Sequence, residues 1–161
     1  MKYKAIFLDR DGVINEDIHN YTWEIENFRI LPGVFEALNE FIRKGYLLII
    51  ITNQGGIAKG LYTKADVENL HTHLRKILSL EGIELTEIYY CPHHEINGKC
   101  LCRKPGSLLV EKAVARFDID PALSYFIGDR ERDIIAGEGA GIKGILVAVN
   151  SDLRSIVQQI K

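Results

Sequence analysis

Ala5-Ile6-Phe7-Leu8-Asp9-Arg10-Asp11-Gly12 decides how the rest of the chain is read. An apolar run ends in two aspartates one residue apart, and a glycine follows. On a strand, residues i and i+2 point to one face. Asp9 and Asp11 are therefore expected to project together from a strand end, with Arg10 turned to the opposite face and Gly12 free to turn the chain. Two carboxylates on one side repel each other unless a cation or a shared proton lies between them. An Asp-rich turn after a strand is also common in its own right. The meaning of the pair depends on what the remaining sequence brings to it.

The 161 residues are 47% hydrophobic and 26% charged, a balance that suits one domain over residues 1–161 with a real core. The formal net charge of −2 argues against a broad basic face for nucleic acid. No apolar run approaches the ~20 residues that a bilayer span needs. The run after Met1-Lys2-Tyr3-Lys4 is too short for a signal-peptide core. The expectations are a cytoplasmic monomer with no nucleic-acid or membrane partner.

Short apolar runs alternate with longer helix-like stretches. Residues 3–8, 46–51, 87–90, 124–127 and 144–149 read as strands. Residues 34–44, 64–80, 107–117, 131–140 and 152–160 read as helices, the second capped by Thr63 and the first stopped by Gly45. The continuous apolar run at 46–51 suits a strand buried on both faces. Such alternation predicts an α/β fold: a doubly wound parallel sheet with helices on both faces. Short connections after the first two strands leave no room for a separate cap domain.

The strand ends carry the chemistry. The first ends at Asp9 and Asp11, the second at Thr52-Asn53-Gln54, and the strand at 124–127 at Gly128-Asp129. In open parallel sheets, ligands bind beyond the carboxyl ends of the strands. Asp9, Asp11 and Asp129 suit a hard cation such as Mg²⁺, which prefers oxygen ligands and keeps room for waters and a phosphate. Thr52 and Asn53 can donate hydrogen bonds to a phosphate, and Lys104 can add a positive charge if its loop folds over this edge. In such a setting one carboxylate can attack phosphorus and its neighbour can handle the proton.

Asp9-x-Asp11-Gly12, Thr52, Lys104 and Gly128-Asp129-x-x-x-Asp133, in that order, resemble the four motifs of the haloacid dehalogenase superfamily phosphatases. The likeness runs from residue 5 to about residue 148. It implies the Rossmann-like fold of that superfamily, with Asp9 as nucleophile and Asp11 as general acid/base. It also implies Mg²⁺ bound by Asp9, the backbone carbonyl of Asp11, and Asp129. Asp133 would support the metal shell or orient Lys104; a carboxylate at a helix N-terminus is its plainer reading.

All three cysteines fall in one stretch, Cys91-Pro92-His93-His94-Glu95-Ile96-Asn97-Gly98-Lys99-Cys100-Leu101-Cys102. Three thiolates and one imidazole make a closed tetrahedral zinc site. Cys91, His93, Cys100 and Cys102 are the candidate Zn²⁺ ligands, in a loop at 91–102, with His94 pointing elsewhere. The stretch, with Arg103 and Lys104 after it, resembles the zinc-loop branch of the superfamily. That branch includes the phosphatases of D-glycero-D-manno-heptose 1,7-bisphosphate and the histidinol-phosphate phosphatase domain. The segments at 9–15, 24–28 and 52–60 are most similar to the heptose enzymes. The short zinc loop and Gly128-Asp129-Arg130 are more similar to the histidinol-phosphate domain. The resemblance implies a small phosphorylated metabolite as substrate, touched by Asp17, Arg103 and Arg130, with Asn53 and Gln54 at the same edge. A zinc-stabilised binding module is the third reading, and it leaves Asp9, Asp11 and Asp129 without a purpose.

His71 and His73 sit two apart on a helix, face different ways, and read as surface or core residues. Gly55-Gly56-Ile57-Ala58-Lys59-Gly60 matches neither the dinucleotide fingerprint nor the P-loop and reads as a turn near the substrate. Tyr21, Trp23 and Phe28 read as anchors of their loop to the core.

Overall fold

The apolar runs become parallel strands because each is flanked by a helix long enough to carry the chain back across the sheet. The computed structural model describes residues 2–161. The strands are β1 (Lys4–Leu8), β2 (Tyr46–Asn53), β3 (Glu87–Cys91), β4 (Tyr125–Gly128) and β5 (Lys143–Leu146). The helices are α1 (Val34–Arg43), α2 (Lys64–Leu80), α3 (Leu108–Arg116) and α4 (Glu131–Gly139). The strands form one parallel sheet in the order β3-β2-β1-β4-β5. The chain winds outward from β1 to β3, then returns to the other side of β1 at β4. The gap between β1 and β4 is therefore the topological switch point, where doubly wound sheets bind their ligands.

Alternation along each strand builds two cores. Ile6, Leu8, Leu48, Ile50, Ile127 and Ile145 face Leu38 and Phe41 of α1 and Leu70 and Leu74 of α2. Ala5, Phe7, Ile49, Ile51 and Phe126 face Leu109, Val110 and Ala113 of α3. On that second face α4 lies so close to β4 that a Cβ at Gly137 would crowd Phe126. α2 opens with a complete capping box between Thr63 and Asp66. Among the described residues, no helix is long and apolar enough to cross a membrane.

Three expectations change. The last strand stops at Leu146, and Asn150, with φ of 59°, turns the chain so that its side chain grips the backbone of Asp17. The closing helix is a 3-10 helix, Leu153–Gln159. Its buried residues, Leu153, Ile156 and Val157, recur at a spacing that both kinds of winding satisfy over so short a stretch. The connection from β1 to α1, residues 9–33, is long rather than short. It is tied down by bridges from Asn15 to Asp11 and Ile30 and holds one 3-10 turn, Ile25–Asn27.

Candidate active site

Sheet order puts the ends of β2, β1 and β4 side by side, and their polar residues meet there. Asp9 follows β1 directly, and its backbone N–H donates to the Ile127 carbonyl at 3.0 Å. Lys104 reaches across from the loop after β3 and is 2% exposed. Its Nζ lies 2.8 Å from Asp9 Oδ1, 2.7 Å from Asp133 Oδ1 and 2.7 Å from the Ile51 carbonyl. Burial works against its charge, but Asp9 and Asp133 together outweigh burial and raise its pKa above the ordinary lysine value. Asp133 is fully buried at the first turn of α4, where its Oδ2 also accepts from the Arg130 backbone N–H at 3.1 Å. A Cβ at Gly128 would collide with Asp133, so only glycine lets the end of β4 come this near α4.

Asp129 is the least compensated member of the group, with Arg130 Nε 3.7 Å from its Oδ2. Both its carboxylate oxygens are buried with no hydrogen-bond partner. Burial first, then Asp9 and Asp133, push its pKa up to about 7, against a lowering pull from Arg130. Carboxylate oxygens of Asp9, Asp129 and Asp133 lie within 4.8 Å of one another. An orphaned carboxylate facing a second one is what a hard divalent cation requires. Asp133 already serves Lys104 and the Arg130 amide, so Asp9 and Asp129 are the side chains that fit a cation there. Gly12, at φ of 88°, packs so tightly that a Cβ would land on Asp129 Oδ2.

Asp11 has a different neighbourhood. Its Oδ1 accepts from Arg10 Nε at 3.1 Å, Arg10 Nη2 at 2.8 Å and Asn15 Nδ2 at 2.9 Å. The sequence placed Arg10 on the opposite face. Arg10 keeps to that face, wholly buried against Phe28 and His71 of α2, while Lys104 holds Asp9 on the other; Asp11 is the one that turns, to pair with Arg10. The two carboxylates thus have separate cations, Lys104 for Asp9 and Arg10 for Asp11, rather than one shared between them.

The end of β2 organises these groups. Burial lifts the Tyr62 pKa to about 12, so its hydroxyl stays protonated and donates to Gln54 Oε1 at 2.7 Å. That bond turns Gln54 Nε2 toward Thr52 Oγ1 at 2.9 Å and Asp11 Oδ2 at 3.2 Å. The Thr52 hydroxyl, accepting there, keeps its hydrogen to donate elsewhere. Asn53 exchanges two hydrogen bonds with the Lys104 backbone, at 3.1 and 3.0 Å. Asn53 and Gln54 therefore hold other site residues in place. Asp17 pairs with Arg130, Nη2 to Oδ2 at 3.3 Å, at the rim. Arg103 donates to the His93 carbonyl at 3.2 Å and lies against Gly55. Trp23 stacks on Tyr62, Tyr21 meets it edge-on, and Phe28 is buried beneath Arg10. His71 is buried against Arg10, and His73 packs on Phe28. Sequence reasoning missed Arg10, His71, Tyr62 and Asn150. The available signal was a charged Arg10 in an apolar frame, which has to be paired wherever it is buried.

Cys91, His93, Cys100 and Cys102 form a second cluster, all ligand atoms within 4.8 Å of one another. The sulfurs lie 3.1 to 3.7 Å apart and His93 Nδ1 is 3.2 Å from Cys102 Sγ, with all three cysteines free. Zinc–sulfur bonds of about 2.3 Å in a tetrahedron set the sulfurs about 3.8 Å apart, which the two pairs made by Cys100, each at 3.7 Å, approach while the Cys91–Cys102 pair is closer. His94 turns away and caps a short 3-10 turn, accepting from Ile96 N–H at 3.3 Å.

The HAD-hydrolase-like family model matches residues 101–160. The chain is 45% identical over 152 residues to D-glycero-alpha-D-manno-heptose-1,7-bisphosphate 7-phosphatase of Campylobacter jejuni, covering 94% of this chain and 86% of that one. The chain belongs to the haloacid dehalogenase-like phosphatases. This phosphatase is also 42% identical over 149 residues to D-glycero-beta-D-manno-heptose-1,7-bisphosphate 7-phosphatase of Haemophilus ducreyi, covering 89% of this chain and 81% of that one. The solved D,D-heptose 1,7-bisphosphate phosphatase of B. bronchiseptica, complexed with magnesium and phosphate, superposes with a TM-score of 0.85 at 32% identity. That match covers 97% of this chain and 86% of the other. As a member of this family the protein is a hydrolase of phosphoric monoesters, and phosphatases of the family use Mg²⁺.

Proposed function

We propose that this phosphatase removes the 7-phosphate of D-glycero-D-manno-heptose 1,7-bisphosphate. The relatives named for that reaction support the substrate. The observation that carries the chemistry is the meeting of Asp9, Lys104 and the orphaned Asp129 at the switch point. Asp9, the backbone carbonyl of Asp11, and Asp129 would hold Mg²⁺. Bound there, the cation would offset the negative charge gathered by carboxylates and phosphoryl oxygens.

Asp9 is the nucleophile. Lys104 holds its Oδ1, which leaves Oδ2 to bond to phosphorus as the bond from phosphorus to the sugar oxygen breaks. Asp11 gives its proton to that departing oxygen, then takes one from the water that attacks the aspartyl-phosphate on Asp9. Thr52 donates its hydroxyl to a phosphoryl oxygen, and Lys104 supplies fixed positive charge. Asn53 and Gln54 act through Lys104 and Asp11. Asp17, Arg103 and Arg130 ring the opening and meet the rest of the substrate. Cys91, His93, Cys100 and Cys102 bind Zn²⁺ as a structural ion, because four protein ligands leave no open position.

Phosphate release with Mg²⁺ from both anomers of the heptose bisphosphate and from histidinol phosphate tests the substrate. Preference for a heptose anomer is expected. Faster release from histidinol phosphate would replace this reading with the other. Asp9→Asn is expected to abolish turnover, and a variant as active as wild type would rule out the covalent route.

A further inference from the structure

Arg10 is the bulkiest of the fully buried side chains among the described residues. A guanidinium taken out of water is costly unless its hydrogen bonds are met. Here Nε and Nη2 both donate to Asp11 Oδ1, Nη2 also donates to the Thr22 carbonyl at 2.7 Å, and Nη1 lies 3.1 Å from His71 Nε2. A guanidinium can only donate. His71 must therefore accept on Nε2 and keep its proton on Nδ1. Burial, then Arg10 and Arg75, hold the His71 pKa down at about 3, so the ring stays neutral. With Asn15 Nδ2 as a third donor, Asp11 Oδ1 is committed to accepting. An oxygen receiving three N–H groups has no lone pair left for a proton. Oδ2 faces only the longer contact to Gln54 Nε2 at 3.2 Å.

We propose that Arg10, backed by the neutral His71, is a positioning residue that locks the Asp11 side chain and reserves its Oδ2 for proton transfer to the leaving oxygen. This rests on the reading of Asp11 as the general acid/base. The planar fork matters because two N–H groups on one oxygen fix its direction, whereas an ammonium offers a single swivelling contact. Arg10 also ties the acid to α2 through His71 and to the loop before α1 through Thr22.

The proposal has a signature that a packing defect lacks. A sugar oxygen leaves poorly without a proton, whereas p-nitrophenolate leaves readily without one. Misplacing the acid therefore harms kcat/KM on the sugar ester selectively, because kcat/KM runs only to departure of the leaving oxygen and excludes the later water step that both esters share; loosening the fold harms both esters alike. The experiment measures kcat and kcat/KM on heptose 1,7-bisphosphate and on p-nitrophenyl phosphate, with Mg²⁺, for the wild type, Asp11→Asn, Arg10→Lys, His71→Leu and His71→Gln. Asp11→Asn is expected to lose ~10²–10⁴-fold in kcat/KM on the sugar ester and much less in kcat/KM on the aryl ester, while kcat falls on both because the water step also uses Asp11. Arg10→Lys and His71→Leu are expected to lose roughly 10- to 100-fold in kcat/KM on the sugar ester, with a loss about tenfold smaller on the aryl ester. His71→Gln, whose amide oxygen can accept from Nη1, is expected to recover most of that loss. Equal losses in kcat/KM on both esters in Arg10→Lys and His71→Leu, with Asp11→Asn still selective in kcat/KM, would overturn the role of Arg10 alone. No selectivity in kcat/KM for Asp11→Asn would overturn the acid/base reading and this inference with it. If Arg10→Lys does not fold, the His71 pair decides by the same ratio.

Discussion

Asp129 sets the pH behaviour of the metal-free protein. Its folded pKa near 7, against an ordinary 3.8, means the folded chain resists giving up this proton. The associated stability is present in full below about pH 4 and is lost as the pH rises to about 7. Asp129→Asn is expected to remove that loss, giving a metal-free variant that melts higher than wild type at pH 8 yet is inactive. Thermal melts at pH 5 and pH 8 without metal check it, and an unchanged pH 8 melting temperature would refute it. Gly12→Ala tests the same corner from the other side. The left-handed backbone costs a side chain about 1–2 kcal/mol, and its methyl would strike Asp129. Lower stability and a weakened Mg²⁺ requirement curve are expected together, read by melting and by activity against metal concentration. The aspartates were legible in the sequence because a strand end fixes its own direction. The pairing of Arg10 was not, because Asp11 lies past the end of β1, where the strand period no longer fixes direction, and it turns to the side of Arg10.

At the scale of elements, the loop between β3 and α3 joins the Cys/His cluster to Lys104. Cys91 closes β3, and Lys104 comes two residues after Cys102. Cys100→Ala is expected to lose zinc, measured by elemental analysis, and to lower kcat roughly tenfold or more, since a reacting group displaced by about 1 Å can cost ~10²-fold. Full zinc loss with unchanged kcat would separate the cluster from catalysis. The four side chains that meet in the cluster could be named from the sequence because their spacing lies within one loop. The placement of Lys104 could not, since it depends on Asn53 of β2 gripping the Lys104 backbone across a long sequence gap. The strands were equally legible as apolar runs, apart from the last. Its end is set by Asn150 holding Asp17, a contact that no local pattern encodes.

For the molecule as a whole, Mg²⁺ is expected to stabilise the fold as well as the reaction. An ion that binds only the folded state adds about 2.7 kcal/mol at 100 times its Kd, and here it would also relieve the carboxylate crowding around Asp129. The rise in melting temperature with Mg²⁺ should therefore be larger at pH 8 than at pH 5, and smaller in Asp129→Asn. His71 acts in the opposite sense. Its folded value near 3 means that stability is lost as the pH falls from about 6.5 toward 3, because the unfolded ring takes up a proton that the folded one refuses. The doubly wound sheet was expected from the alternation of runs. The strand order was not, because alternation says that strands are parallel without saying which are neighbours.

That order has a consequence for how the chain comes off the ribosome. β1, β2 and β3 emerge in sequence and can pair as they appear, but β1 is a central strand whose second neighbour is β4. Until residues 125–128 are made, one edge of β1 stays open with Ala5, Ile6, Phe7 and Leu8 behind it, the kind of edge that invites another chain to pair. The nascent protein thus carries Asp9 and Asp11 from the start beside an unguarded, sticky edge. Its most vulnerable interval ends with the arrival of the segment that also delivers Asp129, so the step that completes the catalytic group is the step that makes the young chain safe from aggregation.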